Sequence, residues 1–207
     1  MDITIIGTGN MARGIATRAL AGGNAVTLLG TSTEKAQALA TELPGDVAAG
    51  QVGDTLDGDV VVLAVWYQAV PDVLARYGDQ LAGKVVVDIA NPVDPDTYAP
   101  LTVEAGSVAQ EIASTVPGAK VVKAFNTTFA GTLVEGSVAG TPLDVFVAGD
   151  DDEAKSVVAQ LATNGGLRAI DVGPLALAHQ LEGAGYLNMA VQPALGTNYG
   201  SALKVVA

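Results

Sequence analysis

Apolar and polar positions fall in repeating blocks along this chain. A short run of β-branched residues is followed by a polar turn, then by apolar residues at helical spacing. Residues 3–6 are the first such run, and 10–21 read as a helix stopped by Gly22, Gly23 and Asn24. Residues 25–29 form an apolar strand of the kind buried on both faces. A polar turn from Gly30 to Thr33 follows, with Thr33 as the cap of a helix over 34–43. Residues 46–50 are a weak strand and 60–65 the strongest one. Val70, Val73, Leu74, Tyr77 and Leu81 share one face of a helix over 68–81, with Pro71 in its first turn. Residues 84–88 are a strand, and 90–105 a long loop carrying Pro92, Pro95 and Pro100. Ser107 caps a helix to Thr115, residues 120–124 are a strand, and 125–140 are irregular. Strands over 144–148 and 168–172 enclose a helix ending near Thr163, and a helix over 175–191 follows the Gly173-Pro174 break.

Strands alternating with helices from end to end predict an α/β fold, a doubly wound parallel sheet of the Rossmann type. Residues 1–172 are expected to form the dinucleotide-binding domain, and 173–207 a small helical C-terminal segment that completes an acceptor site. Gly7-Thr8-Gly9-Asn10-Met11-Ala12 supports this, because it fills a G-x-G-x-x-G/A fingerprint between the first strand and the first helix. Gly7 permits the tight turn, Gly9 lets the backbone approach a pyrophosphate, and Ala12 lets the helix pack on the strand. The N–H groups that open that helix then face an anion.

Composition narrows the partners. A net charge of −12 repels nucleic acid and anionic lipid, so neither is an expected partner, and an anionic cofactor must be held by local groups. The absence of cysteine and the single histidine leave no thiol chemistry and no metal cluster, so no metal is expected. The fingerprint strand starts next to Met1, and no apolar run is long enough to span a bilayer, so a soluble cytoplasmic protein is expected.

The end of the second strand selects between dinucleotides. An NAD site places Asp or Glu there to hold the ribose 2′-OH. This chain has Gly30, then Thr31, Ser32 and Thr33, whose hydroxyls suit a 2′-phosphate. Arg13 and Lys35 lie close enough in sequence to add positive charge. NADP is the expected cofactor.

Several runs together resemble the NADP oxidoreductases dependent on the deazaflavin coenzyme F420, and are similar to the cytosolic NADPH-flavin domain of six-transmembrane ferric reductases. They are Gly7 to Ala12, Asp88-Ile89-Ala90-Asn91-Pro92, Gly106-Ser107 with Gln110, Val122-Lys123-Ala124-Phe125-Asn126-Thr127, Gly149-Asp150-Asp151 and Gly173-Pro174-Leu175. The run from Val122 to Thr127 is the most specific. The resemblance implies that Thr8 to Met11 bind pyrophosphate and that Thr31 and Ser32 meet the 2′-phosphate. It also implies that Asn91, Ala124, Phe125 and Asn126 flank the nicotinamide, with the deazaflavin stacked over it, and that the protein is a homodimer. Two departures stand out. Ser32 occupies a position where the family carries Arg, and His179 another, with Glu182 three residues on.

Hydride transfer between two planar rings needs no nucleophile and no metal, only stacking at near-attack distance. No catalytic side chain is therefore expected beyond those that place the rings. Asn91 and Asn126 can hydrogen-bond a carboxamide, or satisfy their own loops. Trp66 stacks near the adenine, lies over the cleft, or packs in the core. Lys123 orients a phosphate or snorkels, and His179 is either an acceptor contact or a surface residue. Two further readings share the scaffold: an NADPH-dependent reductase of FMN, FAD or a small imine, and a non-catalytic NADP(H)-binding regulator.

Overall fold

Ile3, Ile5 and Ile6 of β1 (Asp2–Ile6) are buried on both faces, and β1 lies inside the sheet that organises the chain, with a strand paired on each side. The computed structural model describes residues 1–206. After β1 come α1 (Asn10–Ala21), β2 (Ala25–Gly30), α2 (Thr33–Glu42), β3 (Val47–Gln51) and β4 (Val60–Leu63). A 3-10 turn leads into α3 (Val70–Tyr77), and a second one follows it before β5 (Val85–Asp88). Next are α4 (Val108–Thr115), β6 (Lys120–Lys123), α5 (Ala130–Glu135) and a small hairpin of β7 (Ser137–Val138) and β8 (Thr141–Pro142). The chain closes with β9 (Asp144–Gly149), α6 (Asp152–Asn164), β10 (Arg168–Gly173), α7 (Ala178–Ala190) and α8 (Gln192–Leu195).

The sheet order is β10-β9-β6-β5-β4-β1-β2-β3. The six strands from β3 to β6 are mutually parallel, with β1 paired to both β2 and β4. The change of direction between β1–β2 and β1–β4 is the topological switch point at which dinucleotides bind in such sheets. Alternate strand residues feed two cores. Ile3, Ile5, Val26, Leu28, Val62 and Val87 pack with α1, α2 and α6, while Ile6, Leu29, Val61, Leu63 and Val86 pack with α3 and α4.

The structure corrects the sequence reading in three places. First, β9 and β10 are parallel to each other, but β9 is antiparallel to β6. The connection after β6 is not a crossover: its helix α5 packs on α1, where a Cβ on Gly14 would lie 2.7 Å from the Leu133 Cβ, and the chain re-enters the sheet from the same end. Second, the segment over 125–140 is not irregular, since it holds α5 and one strand of the hairpin. Third, Ser32 rather than Thr33 caps α2, accepting the Lys35 N–H at 3.4 Å. The Ser107 cap of α4 is present, accepting the Gln110 N–H at 3.2 Å.

Candidate functional site

The carboxyl ends of β1, β4, β5 and β6 open onto one cavity of about 610 Å³. Its floor begins at the glycine turn. Gly7 has φ +121°, and a Cβ there would lie 2.2 Å from the Ala64 carbonyl oxygen, so only glycine fits. Gly9 is different, because a Cβ there would meet nothing within 4 Å. It is also the N-cap of α1 and offers no side chain to the first-turn N–H groups. The result is an open cradle with free donors at the positive end of a helix, which suits a pyrophosphate. Asn10 and Met11 line the same end of the cavity.

The far end is built around two asparagines. The Asn91 Nδ2 donates to the Asn126 backbone carbonyl at 2.8 Å. The Asn126 Nδ2 donates to Asn91 Oδ1 at 2.9 Å and to the Leu181 carbonyl at 2.8 Å. Both residues line the cavity. The Asn126 Oδ1 is buried without a hydrogen-bond partner among the described residues. A buried amide oxygen left unmatched is costly, so this atom is free to accept a hydrogen bond from a donor that reaches it.

Ala124 and Phe125 do not line this cavity. Both side chains are buried in the core formed with α1 and α6, and Phe125 holds φ +61°. That left-handed turn redirects the chain after β6, and the Phe125 carbonyl accepts from the Thr128 N–H and hydroxyl at 3.1 and 2.7 Å. The aromatic wall is instead Phe129, reached by Tyr199 at a centroid distance of 5.2 Å and an interplanar angle of 82°. Trp66 stands at the opposite rim, 53% exposed and edge-on to Tyr98, so it is a rim residue and not a core residue. Tyr67, Met189 and Asn198 complete the walls.

The residues expected at the adenosine end divide between two hollows. Thr8 borders both. Thr31 lines a groove of about 650 Å³ with Gly7, Val52, Asp72 and Arg76. Lys35 lines a smaller hollow of about 250 Å³ with Arg13 and Glu42. Within that hollow Arg13 is paired with Glu42, both side chains being about half-exposed. Ser32 lines neither hollow, because its hydroxyl is used at the start of α2. The neighbouring Glu34 carboxyl is held below the usual range by a backbone N–H and by Ser32, so it is charged there.

Lys123 neither orients a phosphate nor snorkels. It is fully buried, and its Nζ lies 2.7 Å from both the Asp88 and Glu182 carboxylates and 2.5 Å from the Ala90 carbonyl. Glu182 accepts the Val108 N–H at 2.9 Å as well, so it ties α7 to the start of α4. Burial holds the Glu182 carboxyl above its usual range, and Lys123 offsets only part of that rise. The exposed His179 borders a second cavity of about 500 Å³, on the other side of Asn91, with Gln110, Glu182 and Tyr186.

Sequence reading missed Tyr67, Arg76, Phe129, Met189, Asn198 and Tyr199. Arg76 alone had a signal, as a cation on the helix after the strongest strand. Among the described residues, no group of three or more His, Asp or Glu side chains could hold a metal ion, and no helix is long and apolar enough to cross a membrane.

Comparison with known proteins identifies the family. Residues 2–92 match the family described as NADP oxidoreductase, coenzyme F420-dependent. The chain is 33% identical over 192 residues to the F420-dependent NADP reductase of Methanocaldococcus jannaschii, covering 84% of this chain and 85% of that one. It is 32% identical over 180 residues to the metalloreductase STEAP3 of Rattus norvegicus, covering 87% of this chain but only 35% of that protein. Among solved structures, a candidate F420-dependent NADP-reductase from Arthrobacter sp. FB24 superposes with a TM-score of 0.86 at 30% identity, over 99% of both chains. An imine reductase from Bacillus cereus shares the fold at 18% identity with a TM-score of 0.66, covering 96% of this chain and 63% of that one. The chain belongs to the coenzyme F420-dependent NADP oxidoreductase family.

Proposed function

We propose that this oxidoreductase moves hydride between NADP(H) and coenzyme F420. One observation carries the reading: a single cavity runs from the open cradle at Gly9 to the unmatched amide oxygen of Asn126, and planar side chains wall it. When bound, the nicotinamide and the deazaflavin supply the hydride chemistry, and the protein supplies placement.

Thr8, Gly9, Asn10 and Met11 hold the pyrophosphate through backbone N–H groups at the start of α1. Asn126 accepts from the carboxamide, and Asn91 fixes the Asn126 rotamer. Trp66, Tyr67, Phe129 and Tyr199 exclude water and present flat faces to a flat acceptor. Residues 1–172 bind the dinucleotide. The segment after it closes the acceptor side, a role supported by Met189, Asn198 and Tyr199 in the cavity wall.

The coenzyme named for the family and for its two methanogen reductases is F420, which supports F420 over FMN or FAD as the acceptor. The imine reductase likeness, below 25% identity, is one of fold. A homodimer remains part of the proposal, supported by the exposed Leu187 and Leu195 on α7 and α8. The protein is expected to act as a small-molecule reductase away from nucleic acid and membrane.

The test mixes the protein with NADPH and oxidised F420 and follows the visible absorbance of the deazaflavin. Bleaching is expected. Bleaching of FMN or FAD alone refutes the acceptor, and binding of NADPH with turnover of no acceptor favours the regulator.

A further inference from the structure

The positive charge in this chain is scarce and nearly all committed. Of its ten Lys and Arg residues, eight are held by carboxylates or backbone carbonyls. Arg18 and Lys84 bind carbonyls at 2.7 and 2.8 Å, and the others pair with acids. The two that make no ion pair or side-chain hydrogen bond among the described residues are Lys35 and Arg76. Both border Thr8, from opposite hollows.

Arg76 is the less expected of the two. It lies on α3, far in sequence from the tip of β2, and tertiary structure brings it there. The Val52 N–H donates to the Gly30 carbonyl at 2.7 Å, which fixes the start of the β3–β4 connection beside the end of β2. The next residue, Gly53, has φ +115°, and a Cβ on it would lie 3.2 Å from Arg76 Nη1. The guanidinium therefore rests over the bare face of Gly53, the residue after the Val52 that bonds the end of β2 at Gly30. Tyr77, the next residue on α3, holds this turn in place by accepting the Gly53 N–H at 2.8 Å.

Asp72 stands one helical turn before Arg76 and borders the same groove. An acid four residues before a base is the favourable spacing for a helix ion pair. No such pair forms, because the Arg76 side chain is turned toward Gly53. An uncommitted planar guanidinium that shares a groove with Thr31, at the place where the adenosine ribose of a Rossmann protein lies, suits a phosphate monoester.

We propose that Arg76 binds the 2′-phosphate of NADP, with Thr31 of the same groove as a hydroxyl donor. It would take over the role that the resemblance gives to the residue at position 32, which here is a capping serine. Selectivity for NADP over NAD then comes from α3 and not from the start of α2. The inference rests on the reading of this protein as an NADP enzyme.

Arg76 is exposed, so its replacement leaves the core intact. The test compares binding of adenosine 2′,5′-bisphosphate and adenosine 5′-monophosphate, which differ only in the 2′-phosphate, by titration calorimetry on the full chain. Wild type is expected to prefer the bisphosphate. Arg76→Ala is expected to lose at least about tenfold on the bisphosphate and less than about threefold on the monophosphate, as the loss of one charge-assisted contact predicts. Arg76→Lys is expected to keep part of the preference, because it retains charge without the fork. Equal losses on both nucleotides would mean that the guanidinium stacks on adenine, and no loss would mean that it is solvated; either overturns the inference. A wild type with no preference would overturn the NADP reading along with it.

Discussion

Asn91 and Asn126 are locked face to face: each side-chain Nδ2 donates to the other residue, at 2.8 and 2.9 Å. The lock joins the loop after β5 to the turn after β6, and it leaves Asn126 Oδ1 without a partner. The geometry is tight on the third side as well, since a Cβ on Gly185 of α7 would lie 2.8 Å from both Asn91 side-chain heteroatoms.

Asn126→Asp tests that lock. It replaces an N–H donor by an oxygen that faces Asn91 Oδ1 and the Leu181 carbonyl. The expected cost is about 1–3 kcal/mol of stability, read as a lower Tm, with a fall in kcat/KM for NADPH. An unchanged Tm would show that the two donor contacts carry no weight.

Gly7 and Gly9 separate fold from binding. Gly7→Ala puts a Cβ 2.2 Å from the Ala64 carbonyl at a positive φ, so it is expected to destabilise the fold. Gly9→Ala meets open space, so its Tm should hold while its KM for NADPH rises. Paired thermal melts and kinetics check both. A Gly9→Ala protein with normal KM would remove the pyrophosphate from the cradle.

Lys123 balances two buried carboxylates. Lys123→Met leaves Asp88 and Glu182 facing each other without a cation, at an expected cost of about 3–5 kcal/mol. The triple variant with Asp88→Asn and Glu182→Gln added is expected to recover part of that loss. Urea unfolding of the two proteins measures the difference.

Asp144 gives the chain an acid limit. Burial pushes its carboxyl up, but Arg168, Lys204 and the Val205 N–H pull it further down, to about 2. A carboxyl depressed on folding stabilises above its unfolded pKa, and that contribution disappears as pH falls through the folded value. The window is therefore from about pH 4 down to pH 2. The contribution is at most about 2 kcal/mol once the half-exposed Arg168 is discounted for screening. Asp144→Asn is expected to flatten the stability profile in that window, read by urea titration at several pH values. Because Lys204 and Val205 anchor the tail that carries Asn198 and Tyr199, the same variant is expected to raise KM for the acceptor.

The sequence alone determined the parts that rest on short-range physics. The fingerprint from Gly7 to Ala12 carries its own turn geometry, and the β-branched runs carry their own burial, so the parallel sheet and the dinucleotide site follow from local pattern. Asn91 and Asn126 were legible through the runs that contain them. Ser32 was legible only as a hydroxyl at the right position, since capping and phosphate binding call for the same residue type. Tertiary structure decided which hydroxyl capped α2. It also decided that Phe125 turns inward while Phe129 walls the cavity, a choice made by one left-handed residue and by α5 packing on α1. Lys123, Arg76 and Tyr199 find their partners across 35 residues or more, or through the backbone of a distant turn. No periodicity encodes such meetings, because the free energy that fixes them is shared among elements that meet only when the sheet is assembled.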